Sequence, residues 1–313
     1  MLDHKQCQAF LAVIETGSFE HAATQLNVTA SAITLRVKAL ERSLGHILLI
    51  RERPCYPTQA GQDLLQYLNK IMLLEQDLFH QFTGKHPENS FYQAHIAINA
   101  DSLATWFLPA LKDMLLKEKI ILKIHLDDQD HTHHLLSSGQ VNACISSNAI
   151  TQKGCHAIYL GKIGYHMVAC PSFIQQWFPH GLTRQALRTA PAVIFNRKDE
   201  MHINSLLHHF GLSKTVYPYH LIPSSESFLQ AIEMGFGYGM LPDLQIQGTD
   251  LVVLSPALST EIELYWHHWQ QQSDQMKKLT LHIQQQAQIR LQQDEGNTRY
   301  DTSNNPVDEI DAE

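Results

Sequence analysis

The stretch NVTASAITLRVKALERSLG, residues 27–45, constrains the fold more than any other, because it divides into two faces when it is wound as a helix. At about 100° per residue, one narrow sector collects four apolar side chains: Ile33, Val37, Leu40 and Leu44. The opposite sector is polar and basic around a single leucine: Ser31, Thr34, Leu35, Lys38 and Arg42. The pattern predicts a helix that buries one face against a core and presents the other.

The residues on either side of this helix predict a winged helix-turn-helix. Gly17 ends the preceding helical pattern, and Ser18 is a suitable N-cap for FEHAATQL. Asn27 suits a left-handed turn, and the next helix is expected to open at Thr29 or Ala30. Two helices joined by about four residues have the spacing of a helix-turn-helix. GHILLIRERPCYPT then predicts a short strand and turn, which would form the wing.

The polar face of the helix has two possible meanings. Serine and threonine hydroxyls bond base edges and lysine and arginine neutralise phosphates, so the face suits a DNA groove. An ordinary solvated helix face would look similar. The turn spacing and the basic wing favour DNA, and the predicted contacts are Ser31, Thr34, Leu35, Arg36, Lys38, Arg42, Arg51 and Arg53.

A long helical pattern from Thr58 to Phe82 follows the predicted wing. Its apolar residues recur every seven positions: Leu65, Met72 and Phe79, then Leu64, Ile71 and Leu78, with Leu68 and Phe82 completing the stripe. Such a seam usually pairs with another helix, which favours a homodimer. Packing on its own domain is the alternative. The polar segment TGKHPENS, residues 83–90, predicts a hinge.

Predicted strands and helices alternate from Phe91 to about Gln293, which indicates an α/β domain with a largely parallel sheet. The predicted domains are a winged helix-turn-helix at 1–57, a linker and dimerisation helix with its hinge at 58–87, an effector-binding domain at 88–293 and a disordered acidic tail at 294–313. Within the effector-binding domain, lobe I comprises about 88–161 and 268–293, and lobe II about 162–267.

Two predicted helix starts in the effector region carry acidic or hydroxyl side chains: Asp101 with Ser102, and Ser224 with Ser225. Free backbone amides at helix starts attract anions, so two such ends facing across a cleft predict a carboxylate site. The alternative is that Asp101 or Ser102 only caps its own helix. LDDQDH also places Asp127, Asp128 and Asp130 directly after a strand. These acids suit an ammonium or guanidinium group, or else form a solvated loop.

Charge is distributed unevenly along the chain. The net charge is −8, but residues 294–313 carry seven acids and one arginine, which leaves −2 for the rest. Between Arg36 and Arg53 there are five basic residues and two acids, and it is local charge that steers binding to DNA. The five cysteines form no C-x-x-C pair, and no long apolar run or signal sequence is visible, so a reduced cytoplasmic protein is expected.

Several other signals are weak. The HTHH and HHW stretches lack cysteine or aspartate at ligand spacing, so we expect neither a metal site nor a cofactor. The glycines of GFGYG follow a helix and precede a strand, which is the reverse of a dinucleotide-binding loop. A helix C-cap and a turn are the simpler interpretation. Cys144 and Cys155 could be redox sensors, although nothing in the sequence indicates a lowered pKa.

The motifs together resemble a known family. FEHAATQLNVTASAITLRVKALERSLG, with LLIRERPCYPTQAG after it, resembles the N-terminal domain of LysR-type transcriptional regulators. INADSLATWFLPAL, AVIFNRKD and PSSESFLQAIEMGFGYGMLP resemble the ArgP/LysG branch, regulators of basic amino-acid export, over about residues 1–290. Ala30 and Leu35 stand where this family usually has polar base-reading residues. The operator sequence therefore does not carry over from relatives.

The resemblance implies a winged helix-turn-helix, a long linker helix and a two-lobed domain like a periplasmic solute-binding protein. It implies double-stranded DNA and a basic amino acid, L-lysine or L-arginine, as partners, with a homodimer or homotetramer and contact with RNA polymerase. Three alternatives stay open. One is a small-molecule binding protein whose N-terminal helices only oligomerise. The others are an enzyme with a regulatory head, which no catalytic motif supports, and a replication-origin binding protein.

Overall fold

The computed structural model describes residues 2–82, 91–126, 132–197 and 199–291. The chain forms two compact units, one of residues 1–90 with 133–142 and one of residues 91–132 with 143–313. Within the described ranges, no helix is both long enough and apolar enough to cross a membrane. The predicted hinge at 83–90 and the predicted tail at 294–313 lie outside the described residues.

The first unit begins as a winged helix-turn-helix. Its elements are α1 (His4–Thr16), α2 (Phe19–Gln25), α3 (Ala30–Leu44), β1 (Leu49–Ile50), β2 (Tyr56–Pro57) and α4 (Gln59–Phe82). Ser18 caps α2, because its hydroxyl accepts the backbone N–H groups of Glu20 and His21. Asn27 is left-handed with φ 53°, and Thr29 caps α3. The strands β1 and β2 pair antiparallel and form the wing. These local predictions are confirmed.

The core of this domain uses the predicted stripe of α3. Ile33, Val37 and Leu40 have no exposed surface and pack with α1 and α2. Leu44 was expected in the same stripe, but it is 37% exposed. It is the last residue of α3, directly before Gly45 in a left-handed conformation. At this end of α3 the side chain of Leu44 lies at the edge of the domain and is only partly covered by the core.

The apolar seam of α4 is used partly within its own domain. Leu64 and Leu68 are buried in the winged-domain core, and Leu65 packs against it. Leu64 and Leu68 therefore follow the alternative considered from the sequence, packing on their own domain, because the small core is completed by α4. Met72, further along, is 54% exposed. The pairing of α4 with a second chain stays a prediction for the later part of the helix.

The second unit is an α/β domain. Its elements before residue 170 are β3 (Tyr92–Ile98), α5 (Ala100–Ser102), a π-helical turn (Leu103–Phe107), α6 (Leu108–Glu118), β4 (Ile120–Leu126), α7 (Thr132–Ser137, mostly grouped with the first unit), β5 (Ala143–Ser146) and β6 (Cys155–Ala169). The later elements are α8 (Pro171–Trp177), α9 (Arg184–Thr189), β7 (Ala192–Ile194), α10 (Glu200–Phe210), β8 (Tyr219–Leu221), α11 (Ser225–Glu233), β9 (Gly239–Pro242), α12 (Asp243–Ile246), β10 (Val252–Val253), a 3₁₀ turn (Pro256–Leu258), β11 (Thr260–Trp269) and α13 (Asp274–Leu291).

The main sheet is mixed, so the expectation of a largely parallel sheet is wrong. Its strand order is β10-β6-β11-β5-β3-β4, with β9 also paired to β6. Only β3 runs parallel to its neighbours β4 and β5, while the pairings of β6 and β11 are antiparallel. Strand–helix alternation predicts parallel pairs only where a helix crosses over between neighbouring strands. The long strands β6 and β11 are instead entered through loops and pair directly with each other. A separate pair, β7 and β8, is parallel.

The two long strands change register near the predicted border between the lobes. The shift lies between Leu264 and Tyr265 of β11, and Gly161 of β6 pairs with Leu264. Gly161 has φ 142°, and a Cβ there would lie 2.7 Å from the Cβ of Leu291. Only glycine fits this position without displacing α13. The irregularity lies close to the predicted borders at 161/162 and 267/268, and these limits stay predictions.

Candidate nucleic-acid interface and effector site

The polar face of α3 is open, as its pattern predicted. Ser31, Lys38 and Arg42 are exposed, and Leu35 is 67% exposed. Among the described residues, neither Lys38 nor Arg42 forms an ion pair or hydrogen bond, so both charges are available to phosphates. An exposed leucine in the middle of a polar face has no structural role in this domain, and it can contact a thymine methyl group in a major groove.

Two hydroxyl groups of this face are already engaged. The Thr34 Oγ1 donates to the carbonyl oxygen of Ala30 at 2.9 Å, and Thr34 is only partly exposed. The Ser31 Oγ lies 2.9 Å from the Oγ1 of Thr29, the cap of α3. A threonine hydroxyl that already donates its proton to a carbonyl oxygen can still accept a hydrogen bond from a base, but it cannot donate one. Ser31 is therefore the better candidate for donating to a base edge.

The basic residues of the wing differ in their surroundings. The Nη2 of Arg51 lies 3.7 Å from a carboxylate oxygen of Glu41, and its guanidinium lies 5.1 Å from the ring centre of Phe19. Glu41 also accepts the backbone N–H of Leu48, which ties α3 to the wing. Arg53 is exposed, and its charge contributes to a lowered pKa of Glu20 after the hydrogen bonds that Glu20 accepts. Arg51 is thus held in place by the domain, and Arg53 projects from it.

In the second unit, Asp101 joins elements that lie far apart in the sequence. Its carboxylate accepts a hydrogen bond from the Ser225 hydroxyl at 2.8 Å and another from the Tyr165 hydroxyl at 2.9 Å. Gln245 donates to the Ser225 hydroxyl at 3.0 Å. Burial raises the pKa of Asp101 above its ordinary value, and these two hydrogen bonds oppose the rise. The result is a carboxylate held in position and withdrawn from water.

A second carboxylate, Asp199, was missed by sequence reasoning. It lies before α10, where it accepts the backbone N–H groups of Phe195 at 3.2 Å and His202 at 3.3 Å. Burial raises its pKa, and its charge also contributes to the raised pKa of Asp101. Among the causes of the raised pKa of Asp101, the Asp199 charge is the smallest, so the two carboxylates lie in the same region of the domain. The available signal was an acid between a short buried strand and the next helix, in AVIFNRKD, where an aspartate is a suitable N-cap.

The other predicted effector residues are placed as follows. Ser224 caps α11 by accepting the backbone N–H of Ser227, and Ser225 begins the helix. The expectation that Asp101 or Ser102 caps its own helix is wrong, because Asn99 precedes that helix and no side chain caps it. Ser102 is buried, and its hydroxyl has no hydrogen-bond partner among the described residues. Asp127, Asp128 and Asp130 lie outside the described residues.

The surroundings of Cys144 do not suit redox sensing. None of the five cysteines forms a disulfide, and Cys144 and Cys155 are buried in the main sheet. Burial raises the pKa of Cys144 to about 12, which disfavours the thiolate that oxidation requires.

An exposed basic helix face in a winged helix-turn-helix is typical of a DNA-binding regulator, and the α/β domain that follows it resembles a small-molecule binding domain. The chain belongs to the LysR family of bacterial transcriptional regulators. Residues 4–62 match the family model of the bacterial regulatory helix-turn-helix protein, lysR family, and residues 93–288 match the LysR substrate binding domain. The curated relatives of this chain are named as transcriptional regulators.

The similar proteins have related names. HTH-type transcriptional regulator ArgP of Aeromonas salmonicida is 40% identical over 86% of this chain and 91% of its own length. ArgP of Vibrio vulnificus strain YJ016 is 37% identical over 93% of this chain and 98% of its own length. Among solved structures, ArgP of Mycobacterium tuberculosis is 32% identical with a TM-score of 0.78, covering 92% of this chain and 98% of that one. Full-length LysG of Corynebacterium glutamicum with bound effector Arg is 30% identical with a TM-score of 0.70, covering 91% and 98%.

Proposed function

We propose that the effector domain binds a basic amino acid, L-lysine or L-arginine, with its two cationic groups against Asp101 and Asp199. The observation that carries the proposal is a pair of partly buried carboxylates: Asp101, held by the Ser225 and Tyr165 hydroxyls, and Asp199, held by two backbone amides. Burial raises the pKa of both. Two buried negative charges are unfavourable unless cations neutralise them. A basic amino acid supplies two cations, whereas a neutral amino acid supplies only one.

The same site offers groups for the ligand's carboxylate. The first-turn amides of α11, next to Ser224 and Ser225, suit an anion. Ser102 lies one residue after Asp101 and has a buried hydroxyl for a further bond. The LysG structure with bound Arg supports the class of ligand. Asp127, Asp128 and Asp130 stay proposed as contributors to the same site.

On the DNA side, we propose that the chain binds an operator as a homodimer or homotetramer through the later part of α4. The α3 face and the wing supply the contacts proposed from the sequence: Ser31, Thr34, Leu35, Arg36, Lys38, Arg42, Arg51 and Arg53. Effector binding alters transcription of an amino-acid exporter or a related gene, with RNA polymerase as a further partner. The effector acts only through different affinities for the regulator's conformational states.

The effector proposal is tested by calorimetry on the full chain with arginine, lysine, glutamine and glutamate. We expect the two basic amino acids to bind and Asp199→Asn to weaken them about tenfold or more, because one buried cation loses its counter-charge. Asp113→Asn, which removes an exposed carboxylate on α6, is the matched control and should change nothing. If neither basic amino acid binds, or if glutamine binds equally well, the proposal is wrong.

The DNA proposal is tested by footprinting DNA that flanks the protein's own gene, together with replication-origin DNA, with and without each amino acid. Protection of a promoter that changes with a basic amino acid supports the regulator. Protection of origin DNA alone would favour the replication-origin alternative. A steep decrease of affinity with salt on random duplex would exclude a head that only oligomerises.

A further inference from the structure

The polar face of α3 has few side chains that can donate hydrogen bonds to bases. Ala30, the first residue of α3, has no polar side-chain atom, and the Thr34 hydroxyl donates its proton to the Ala30 carbonyl oxygen at 2.9 Å. Ser31 is exposed, and its Oγ lies 2.9 Å from the Thr29 Oγ1. In the major groove, base pairs are distinguished by their donors and acceptors and by the thymine methyl group.

The charged side chains of this face lie in the second half of the helix. Lys38 and Arg42 follow the midpoint of the 15-residue α3, whereas Leu35 precedes it. In helix-turn-helix proteins the N-terminal residues of the recognition helix contact the base edges. The two charges are therefore placed for phosphates, and Leu35 is placed for the bases.

Leu35 occupies the middle of the polar face, and its side chain is 67% exposed. Ser31 lies four residues before it and Lys38 three residues after it, and residues at these spacings are neighbours on a helix. Single exposed leucines are common on protein surfaces, so the exposure alone has no functional meaning. The position of Leu35 between a hydroxyl and an ammonium, on the base-reading part of the helix, is what points to a contact with DNA.

We propose that Leu35 selects thymine at one position of each operator half-site by contact with the C5-methyl group. Thymine presents this methyl group in the major groove, whereas the edges of guanine, cytosine and adenine present donors and acceptors there. A leucine placed against such polar atoms removes their water without replacing its hydrogen bonds, which is unfavourable. Leu35 therefore favours thymine over the other three bases, and Ser31 bonds the edge of a neighbouring pair. This inference rests on the proposed contact of α3 with DNA and adds which base that contact reads.

Replacement of thymine by uracil isolates this contact. Uracil lacks the methyl group, but it pairs with adenine in the same way and presents the same O4 acceptor. Burial of one methyl group corresponds to about fourfold in affinity, so substitution in both half-sites of a dimer should weaken binding about 10- to 20-fold. The phosphate contacts are unchanged by this substitution.

The experiment uses duplexes that the full-length chain selects from a random-sequence pool. Each thymine of a selected duplex is replaced in turn by uracil, and gel shifts measure the affinity of wild type, Leu35→Ala and the conservative variant Leu35→Met. Ile47→Ala is the matched control, because Ile47 is 72% exposed in the same domain but lies between α3 and β1. We expect one thymine in each half-site at which uracil lowers the wild-type affinity about fourfold. Leu35→Ala should lose this difference, and Leu35→Met and Ile47→Ala should keep it.

The outcomes separate this inference from the proposed function. If no duplex sequence is enriched, or if binding does not depend steeply on salt, the DNA contact itself is overturned. Enrichment without a sensitive thymine, or the same sensitivity to uracil in wild type and Leu35→Ala, would leave DNA binding standing and overturn the role of Leu35. If Leu35→Ala binds no duplex at all, the wild-type uracil series and Leu35→Met still decide the matter.

Discussion

The DNA-binding face and the effector site are built in opposite ways. On α3, Ser31, Lys38 and Arg42 are exposed, and the two charges make no ion pair among the described residues. In the effector domain, Asp101 is bonded to side chains of other elements and Asp199 to backbone amides near the start of α10. Both have raised pKa values. A DNA surface has to meet a large rigid partner and release counterions, whereas a small-ligand site has to desolvate its ligand. The DNA-binding face is therefore exposed to solvent, whereas the carboxylates of the effector site are partly shielded from it.

Two leucines of α3, one buried and one exposed, allow the same comparison within one helix. Leu40 has no exposed surface, and Leu35 is 67% exposed. We expect Leu40→Ala to lower the free energy of unfolding of the first unit by about 2–5 kcal/mol, because it leaves a cavity in a small core. Leu35→Ala should change it by less than about 0.5 kcal/mol. Urea denaturation measures both, and similar losses for the two variants would contradict the assignment of the faces.

Removing the two free charges of α3 should have the next largest effect. Lys38→Ala together with Arg42→Ala should weaken duplex binding about 10- to 100-fold at moderate salt and reduce the salt slope by about 2, since two phosphate contacts are lost. The matched control, Lys112→Ala with Lys117→Ala, removes two exposed charges from α6. Gel-shift titrations at several salt concentrations provide the measurement. An unchanged slope would mean that this face does not lie on DNA.

The DNA-binding half could be predicted from the sequence almost in full, because its signals are local. The cap at Ser18, the left-handed Asn27 and the apolar spacing of α3 each depend on residues within one helical turn. Leu44 and the first half of α4 were misjudged, because the end of a helix and the depth of a small core depend on neighbours elsewhere in the domain.

The effector half could be predicted only in outline. The strands and helices follow local patterns, but the antiparallel pairing of β6 with β11 joins residues about 100 positions apart. Asp101 and Ser225 were expected at two helix starts that face each other, but the direct bond between their side chains spans 124 positions and could not be predicted. Asp199 can be recognised as part of the site only in the folded chain, where its charge contributes to the raised pKa of Asp101. The chemistry of this site depends on tertiary contacts, which no sequence period encodes.

The buried carboxylates also predict how effector binding depends on pH. A cationic ligand binds the ionised form of each acid, and both pKa values are raised, so affinity should begin to decline at a higher pH than for ordinary aspartates. Below the raised pKa of each carboxylate the affinity should decrease about tenfold per pH unit. Lys214 and Tyr217 also face Asp199, but His202 stays neutral in this range. Calorimetry from about pH 8 to about pH 5 tests this, and Asp199→Asn should show a shallower dependence.

The smallest expected effect concerns a single hydroxyl that holds Asp101. Tyr165→Phe removes one of the two side-chain donors that oppose the raised pKa of Asp101, so that pKa should rise further. At neutral pH we expect arginine affinity to decrease only about threefold, the size of one weakened hydrogen bond. The difference from wild type should grow as the pH is lowered, because more of the variant's Asp101 is then protonated. A loss that is equal at every pH would show that Tyr165 contributes only shape, and that Asp101 does not titrate within the effector site.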